Sequence, residues 1–315
     1  MLENDLFDSP LPASIDADAA ALLEEVNGDV EKARQSYMGY TLAYLEEAMP
    51  ELYRQIKTDV NLPDAHAAMV ELTWDAIAAF MPMTHASRPS KEAAQRLTAI
   101  ARASLPAGGA DSETTVLDVG CGNGVLLPFL TEIGLPASGY TGIDVSSEMI
   151  KLANFAHGET GAAFEPTNFA DIVADVDKKY DTIIFNGALQ FFDDQPQTMK
   201  DAAQLLSDSP DARIIVSHIS GASFVRREFG DNPATVKNTM PMLEMMNGIA
   251  DANELVCVLP SFLGTGFEEI ELALEKFYLM VFRRKGVAGD DDEEEGGEEE
   301  LALEMPEGMG SIDLK

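Results

Sequence analysis

A buried strand that breaks into a glycine-rich turn is the part of this sequence best suited to bind a ligand. Residues 116–124 read VLDVGCGNG. Glycines occupy every second position after Asp118, at Gly120, Gly122 and Gly124. Glycine lets the backbone turn sharply and approach a ligand where any Cβ atom would collide. The segment therefore predicts a nucleotide-type binding loop between a strand and a helix.

The spacing of these glycines differs from that of two other nucleotide-binding motifs. A dinucleotide-binding fingerprint reads G-x-G-x-x-G/A and would need a small residue where this chain has Val125. A phosphate-binding P-loop would need a lysine followed by serine or threonine, and this loop has neither. The loop therefore disfavours an NAD-dependent oxidoreductase and a P-loop enzyme.

A carboxylate stands at the end of the next predicted strand. Asp144 follows Gly124 by twenty residues and closes the run 140–143. A carboxylate at a strand tip can accept hydrogen bonds from both hydroxyl groups of a ribose. Alternatively, Asp144 caps the helix that begins at Ser146. We favour the ribose interpretation because the spacing and the glycine loop agree.

Polar residues also follow the fourth and fifth predicted strands. Ligands of open α/β sheets bind beyond the carboxyl ends of the strands, so Asn186, Gln190 and His218 should border the reacting atoms. His218 is a candidate general base, because histidine titrates near working pH. Alternatively, His218 is a structural hydrogen-bonding residue and Asn186 is a turn residue before Gly187.

Two features after the fifth strand have alternative interpretations. Arg226 and Arg227 suit a substrate carboxylate, or they pair with the acidic groups of the chain itself. The methionine-rich residues 240–246 suit an adaptable wall over a ligand, or they pack in the core or a lid.

The glycine loop resembles motif I of the class I (Rossmann-like) S-adenosylmethionine-dependent methyltransferases, an acidic residue followed by G-x-G-x-G. The resemblance extends over residues 113–285, and Trp74-Asp75 looks like the aromatic-acidic pair that precedes the core in many small-molecule members. It implies S-adenosyl-L-methionine as the cofactor. The implied cofactor-binding residues are Asp118, Gly120, Cys121, Gly122, Gly124, Asp144, Val145, Asn168, Phe169 and Asn186.

The third strand departs from the family pattern. Asn168 stands where the family often has an aspartate that contacts the adenine amino group. An amide oxygen can still accept a hydrogen bond from that group. Phe169 is expected to pack on the adenine ring, with plain core packing as the alternative.

The resemblance implies methyl transfer, with His218 as the candidate catalytic residue. A sulfonium methyl group is already activated, so alignment of a nucleophile in a dry site supplies much of the rate. The expected acceptor is a small molecule bound between Trp74 and the segment after His218. The alternative is a catalytically inactive methyltransferase-like assembly or scaffold protein, against which the intact glycines and Asp144 argue.

Alternating strand and helix patterns predict the fold that positions these residues. Strand-like runs lie at residues 115–119, 140–145, 162–165, 181–186 and 212–218, with helical stretches between them. This order predicts a three-layer α/β/α sandwich with a seven-stranded, mostly parallel sheet that has one antiparallel strand. The last strands are placed at residues 268–274 and 276–284, where no crossover helix fits, so they should pair antiparallel.

Changes in periodicity and composition divide the chain into four parts. They are a disordered segment at 1–15, a helical N-terminal cap region at 16–110, a methyltransferase domain at 111–286 and an acidic disordered tail at 287–315. Within the cap region, helix breaks are expected at Asn27-Gly28 and Pro50, and Ser90 is placed to cap a helix.

The charge of the chain argues against polyanionic partners. Its 55 acidic and 21 basic residues give a formal net charge of -34. Residues 290–315 contribute twelve acidic residues and one lysine, or -11, which leaves -23 for the other 289 residues. Phosphate binding needs clustered lysine and arginine, so nucleic acids and membrane surfaces are not expected partners.

The remaining composition predicts a cytoplasmic protein without a metal site. No apolar run approaches the roughly 18 residues of a membrane span, and the first residues are acidic where a signal peptide would be basic. Cys121 and Cys257 lack metal-ligand spacing. The oligomeric state and the methyl acceptor stay open.

Overall fold

The computed structural model describes residues 17–81, 89–175 and 177–285. Within them the chain forms a three-layer α/β/α sandwich with a seven-stranded sheet, and further helices precede the sheet. The predicted fold class is therefore confirmed. The segments predicted to be disordered, 1–15 and 287–315, lie outside the described residues.

Within the described residues, five α-helices precede the first strand. They are α1 (Ala17–Glu25), α2 (Val30–Ala48), α3 (Pro50–Thr58), α4 (Pro63–Phe80) and α5 (Lys91–Ser104). The breaks predicted at Asn27-Gly28 and Pro50 are present, because residues 27 and 28 have positive φ angles and Pro50 starts α3. The Ser90 hydroxyl caps α5 by accepting the N–H of Ala93, as predicted.

The sheet is parallel except for one strand. The strands are β1 (Val116–Val119), β2 (Tyr140–Asp144), β3 (Ala163–Pro166), β4 (Thr182–Asn186), β5 (Arg213–His218), β6 (Leu255–Val258) and β7 (Tyr278–Arg284). Their spatial order is β3-β2-β1-β4-β5-β7-β6, and β7 runs antiparallel to both neighbours. The direction of strand succession reverses between β1 and β4, which opens a crevice beyond their carboxyl ends.

Helices cover both faces of the sheet. They are α6 (Leu127–Glu132), α7 (Ser147–His157), α8 (Phe169–Val173), α9 (Gln195–Leu205), α10 (Gly221–Asp231), α11 (Leu243–Ala252) and α12 (Phe267–Leu274). Ile183 and Phe185 pack with residues of α8 to α12, whereas Ile184 packs with residues of α5 to α7. Two buried faces explain why the strands read as continuous apolar runs. No helix in the described part of the chain has the length and apolar character needed to cross a membrane.

Helix α4 joins the N-terminal helices to the rest of the fold. Its Phe80 is fully buried with Ala19 of α1 and Ala33 of α2. Near the same end of α4, Ala78 packs against Met149 of α7. Helix α5 packs on the sheet instead, so we propose that the cap region ends before α5.

The sequence prediction is wrong for one element at the edge of the sheet. Residues 268–274 belong to helix α12, and β7 pairs with β5 and β6 instead. Phe267, Ile270 and Leu274 recur at helical spacing, which buries Ile270 and Leu274 on one face of α12. Strand β6 is absent from the sequence prediction, because a run of only four residues gives a weak strand signal.

Candidate active site

The glycine loop after β1 lies at the crevice and has no room for a side chain at its first glycine. Gly120 has a φ of 70°, in the left-handed region. A Cβ atom on Gly120 would lie 2.7 Å from the Cβ atom of Ala188. The N–H of Gly120 donates to the carbonyl of Ile143 at 2.8 Å, which ties the loop to β2. Backbone angle and steric contact therefore both require glycine here.

Gly124 and Cys121 are the loop residues that pack closely against neighbouring parts of the fold. A Cβ atom on Gly124, whose φ is 74°, would lie 2.8 Å from the Phe164 ring and 2.9 Å from the His157 ring. A Cβ atom on Gly142 of β2 would lie 2.8 Å from the Sγ of Cys121. Burial raises the pKa of the Cys121 thiol well above its usual value, so this thiol is not a reactive group.

Asp118 is a buried carboxyl group with one unused oxygen. Its Oδ2 accepts a hydrogen bond from the Tyr140 hydroxyl at 2.7 Å, whereas Oδ1 has no partner among the described residues. The pKa of Asp118 is raised to about 7, chiefly by burial; the Tyr140 hydrogen bond lowers this pKa in part, and the nearby Asp144 adds to the rise. A buried acceptor without a donor costs free energy, so this oxygen is suited to a donor on a ligand.

Asp144 organises the loop through both carboxylate oxygens. Oδ2 accepts the N–H of Gly122 and Oδ1 accepts the N–H of Ser146, each at 2.9 Å. Burial raises the pKa of Asp144, and these two hydrogen bonds lower it. The helix-cap alternative does not apply, because Ser146 caps α7 by accepting the N–H of Met149. Both oxygens keep lone pairs for further donors.

The pair Trp74-Asp75 connects α4 to this loop. Asp75 accepts the Ser146 hydroxyl at 2.6 Å and the N–H of Glu148 at 3.3 Å. The Trp74 ring meets the Phe191 ring edge-on, with centroids 5.7 Å apart. The polar member of the pair therefore holds α4 against α7, and the aromatic member faces the crevice.

The other predicted cofactor-binding residues stand around the same opening. Val145 is 38% exposed. Asn168 caps α8 through its side-chain oxygen, and Phe169 is a buried ring of the core beneath it. Asn186 accepts a hydrogen bond from the Ser217 hydroxyl at 3.1 Å. The burial of the Phe169 ring therefore agrees with core packing, the alternative interpretation of this residue.

A cavity of about 780 Å³ brings these residues together. Every predicted site residue except Gly124 lines it, and Pro63, Trp74 and Phe224 extend its wall to α4 and α10. Its walls are largely apolar, and no lysine or arginine of the described residues lines it. Large, mostly apolar cavities with a few polar groups are typical of small-molecule sites.

His218 borders the cavity with a defined tautomer. The N–H of Ser220 donates to its Nδ1 at 3.1 Å, so in the neutral ring the hydrogen resides on Nε2. The ring stacks on Phe224, and burial lowers the pKa of His218 to about 4. A ring with this tautomer and pKa offers a donor to the cavity. The structure therefore disfavours a general base at His218, and its part in catalysis stays a prediction.

The neutral state of His218 should make folding stability depend on pH. An unfolded histidine takes up a proton below about pH 6.5, whereas the folded ring stays neutral to about pH 4. The unfolded state binds more protons in this window, so stability falls as the pH falls, by about 2 kcal/mol at pH 5. Urea unfolding of wild type and His218→Gln at pH 7 and pH 5 should show a loss about 2 kcal/mol larger in the wild type, because the other buried histidines contribute equally to both proteins. Equal losses in both proteins would contradict a buried neutral ring.

Among the wall residues that the sequence did not single out are two titratable ones, His66 of α4 and Glu228 of α10. The His66 Nε2 donates to the carbonyl of Thr235 at 2.8 Å, and its Nδ1 lies 3.5 Å from an oxygen of Asp193. Burial lowers the pKa of His66 and raises that of Glu228. His66 and Trp74 are eight residues apart and so lie on one face of a helix. This spacing was the sequence signal available for His66.

The remaining sequence candidates lie outside the cavity wall. Arg226 pairs with Glu275 at 2.7 Å, which confirms the pairing with an acidic group of the chain itself. Within the methionine-rich stretch, Met240 and Met246 are buried in the core. The stretch contributes no residue to the cavity wall, so the alternative of core packing applies.

Comparison with known families gives the class of this protein. A family model described as a methyltransferase domain matches residues 110–281, more than half of the chain, so the chain belongs to this family. It is a class I S-adenosylmethionine-dependent methyltransferase by its domain, and S-adenosylmethionine is the cofactor of that class.

Individual relatives are distant or match in part. Malonyl-acyl-carrier protein O-methyltransferase of Acetivibrio thermocellus is 33% identical over 95 residues, which are 30% of this chain and 32% of that relative. The match therefore spans about a third of the relative's length. A chain in the complex of the Haloferax volcanii Trm112 methyltransferase activator with a methyltransferase is 16% identical, with a TM-score of 0.48 over 68% of this chain and 96% of that chain. Magnesium protoporphyrin IX methyltransferase of Synechocystis is 16% identical, with a TM-score of 0.39 over 78% and 99%.

Proposed function

We propose that this chain transfers the methyl group of S-adenosylmethionine to a small-molecule acceptor. The observation that carries the proposal is the cavity, which continues from the glycine loop past Asn186 to Trp74 and Phe224. A space of this kind suits a cofactor at the loop and an acceptor against α4 and α10. The absence of lysine and arginine from its described wall argues against a nucleic acid acceptor.

The residues at the loop fit the chemical groups of S-adenosylmethionine. The unused Oδ1 of Asp118 is suited to the cofactor's amino group, and Asp144 to the ribose hydroxyls. The left-handed backbone at Gly120 and Gly122 lets the main chain approach the ligand. The exposed Val145 offers an apolar surface to the adenine ring.

The remaining work of the site is alignment and exclusion of water. The cofactor supplies a methyl group already activated on a sulfonium. Apolar rings such as Trp74 and Phe224 keep the acceptor side dry, and Asn186 and Gln190 fix polar atoms of the ligands. The Nε2 hydrogen of His218 serves to orient a polar atom of the acceptor.

Methyl transfer should be visible as label in small molecules. The full-length chain, given methyl-labelled S-adenosylmethionine and a cell extract, should place label in the small-molecule fraction after ultrafiltration. A matched reaction with the Gly120→Ala variant should leave that fraction unlabelled. Label confined to protein or nucleic acid would contradict a small-molecule acceptor, and absence of label from every fraction would contradict transfer itself.

A further inference from the structure

The acceptor side of the cavity has two carboxylates in its wall, Asp193 and Glu228, and no lysine or arginine among the described residues. Neither basic residue of α10 lines the cavity: Arg226 pairs with Glu275, and the Arg227 guanidinium lies 5.6 Å from the centre of the Phe224 ring. A carboxylate or phosphate on the acceptor would meet like charge here and no cationic partner.

Glu228 is the carboxylate of this wall that lacks a partner. Asp193 lies 3.5 Å from the Nδ1 of His66 and 4.0 Å from the Nζ of Lys237. The Glu228 carboxylate has no ion pair or hydrogen bond among the described residues, and it is about half-buried. Burial alone raises its pKa, which reports an unrelieved desolvation cost. A cationic ligand beside Glu228 would relieve that cost.

Gln190 and two aromatic rings also favour a cationic ligand that carries N–H groups. Gln190 is 1% exposed, and its Nε2 donates to the carbonyl of Gly187 at 2.9 Å while its Oε1 has no donor. A ligand that carries N–H groups satisfies such an oxygen, whereas an anionic ligand does not. The Trp74 and Phe191 rings supply apolar contact, and aromatic faces attract cations.

We propose that the methyl acceptor is an apolar amine, bound as its ammonium ion beside Glu228 with its apolar part against Trp74 and Phe224. This inference rests on the proposed function and assigns its substrate class. The base is the Glu228 carboxylate rather than His218, whose Nε2 already carries a hydrogen.

The reaction balances in charge and protons. The Glu228 carboxylate takes one proton from the ammonium ion, which frees the nitrogen lone pair. That lone pair forms a bond to the methyl carbon as the carbon–sulfur bond breaks, and the electron pair of the broken bond stays on sulfur. The methylated nitrogen carries the positive charge, and Glu228 returns its proton to water.

The test compares amines with carboxylates of the same shape on the full-length chain. The chain is first titrated with S-adenosylhomocysteine, and the complex is then titrated with 2-phenylethylamine, tryptamine and the matching 3-phenylpropionate and indole-3-propionate. We expect at least one amine to bind about tenfold or more tightly than its carboxylate partner, and Glu228→Gln to abolish that preference. Asp231→Asn, which removes an exposed charge from the same helix, should leave it unchanged.

The outcomes separate this inference from the proposed function. Failure to bind S-adenosylhomocysteine would overturn both. Binding of S-adenosylhomocysteine together with no amine preference, or with a preference that survives Glu228→Gln, would overturn the amine assignment and leave methyl transfer intact. Labelled methyl-donor assays with the same compounds should show transfer to the nitrogen of the preferred amine.

Discussion

The Gly120→Ala variant should lose binding of S-adenosylmethionine by a hundredfold or more while the protein stays folded. Alanine at a φ of 70° is strained, and its Cβ atom would lie 2.7 Å from that of Ala188. Ala188 is 4% exposed and follows β4, so it has little freedom to move away. The loop must therefore shift at the point where it meets the ligand. This shift should reduce cofactor affinity several-fold more than the backbone strain alone would.

The matched control for this variant is Gly161→Ala. Gly161 also has a positive φ, at 91°, but an added Cβ atom there would contact nothing within 4 Å, and the residue lies outside the cavity wall. Gly161→Ala should lose only the small amount of thermal stability that the positive φ costs, and Gly120→Ala should lose somewhat more because of its contact with Ala188. Calorimetry with S-adenosylhomocysteine should show binding by Gly161→Ala and none by Gly120→Ala. Wild-type affinity in Gly120→Ala would contradict the placement of the cofactor at this loop.

The Asp144→Ala variant should bind the cofactor about tenfold to a hundredfold more weakly, because a charge-assisted hydrogen bond is worth roughly 1.5 to 3 kcal/mol. Two effects combine, the loss of an acceptor for the ribose and the release of the Gly122 and Ser146 N–H groups that Asp144 now holds. Asp144→Asn should not restore binding. Both oxygens accept from N–H groups, so an amide would point its own N–H₂ at one of these donors.

The control for Asp144 is Asp208→Ala, which removes an exposed carboxylate distant in sequence from the loop. It should bind S-adenosylmethionine as the wild type does. Fluorescence or calorimetric titration of the wild type and the three variants at one ionic strength gives the comparison. An Asp144→Ala variant with unchanged affinity would show that the carboxylate serves the loop's own structure and contributes nothing to the ligand.

The residues proposed to bind the cofactor could be located from the sequence because their signals are local. Gly120, Gly122 and Asp118 lie within five residues, and the requirement for glycine comes from backbone angles that the motif itself imposes. The alternating strands and helices likewise predicted a seven-stranded, mostly parallel sheet. The prediction failed at residues 268–274, where a short amphipathic helix and a strand share similar apolar content.

The residues proposed for the acceptor side were harder to predict because tertiary contacts bring them together. His66 and Thr235 are 169 residues apart in sequence, and their hydrogen bond sets α4 against the segment after α10. Glu228 lies on a helix whose position beside the cavity has no local signature. The tautomer of His218 depends on the N–H of Ser220, a contact that only the turn after β5 creates. Sequence could place a histidine at this strand end but could not assign its proton.

Calorimetric titration of the full-length wild type is the most direct test of the account. S-adenosylmethionine and S-adenosylhomocysteine should each release or absorb heat with a stoichiometry of one per chain, and NAD should give none. The loop spacing, the unused oxygen of Asp118 and the carboxylate of Asp144 all require this result. Absence of binding by both sulfur compounds, or binding of NAD in their place, would contradict the assignment.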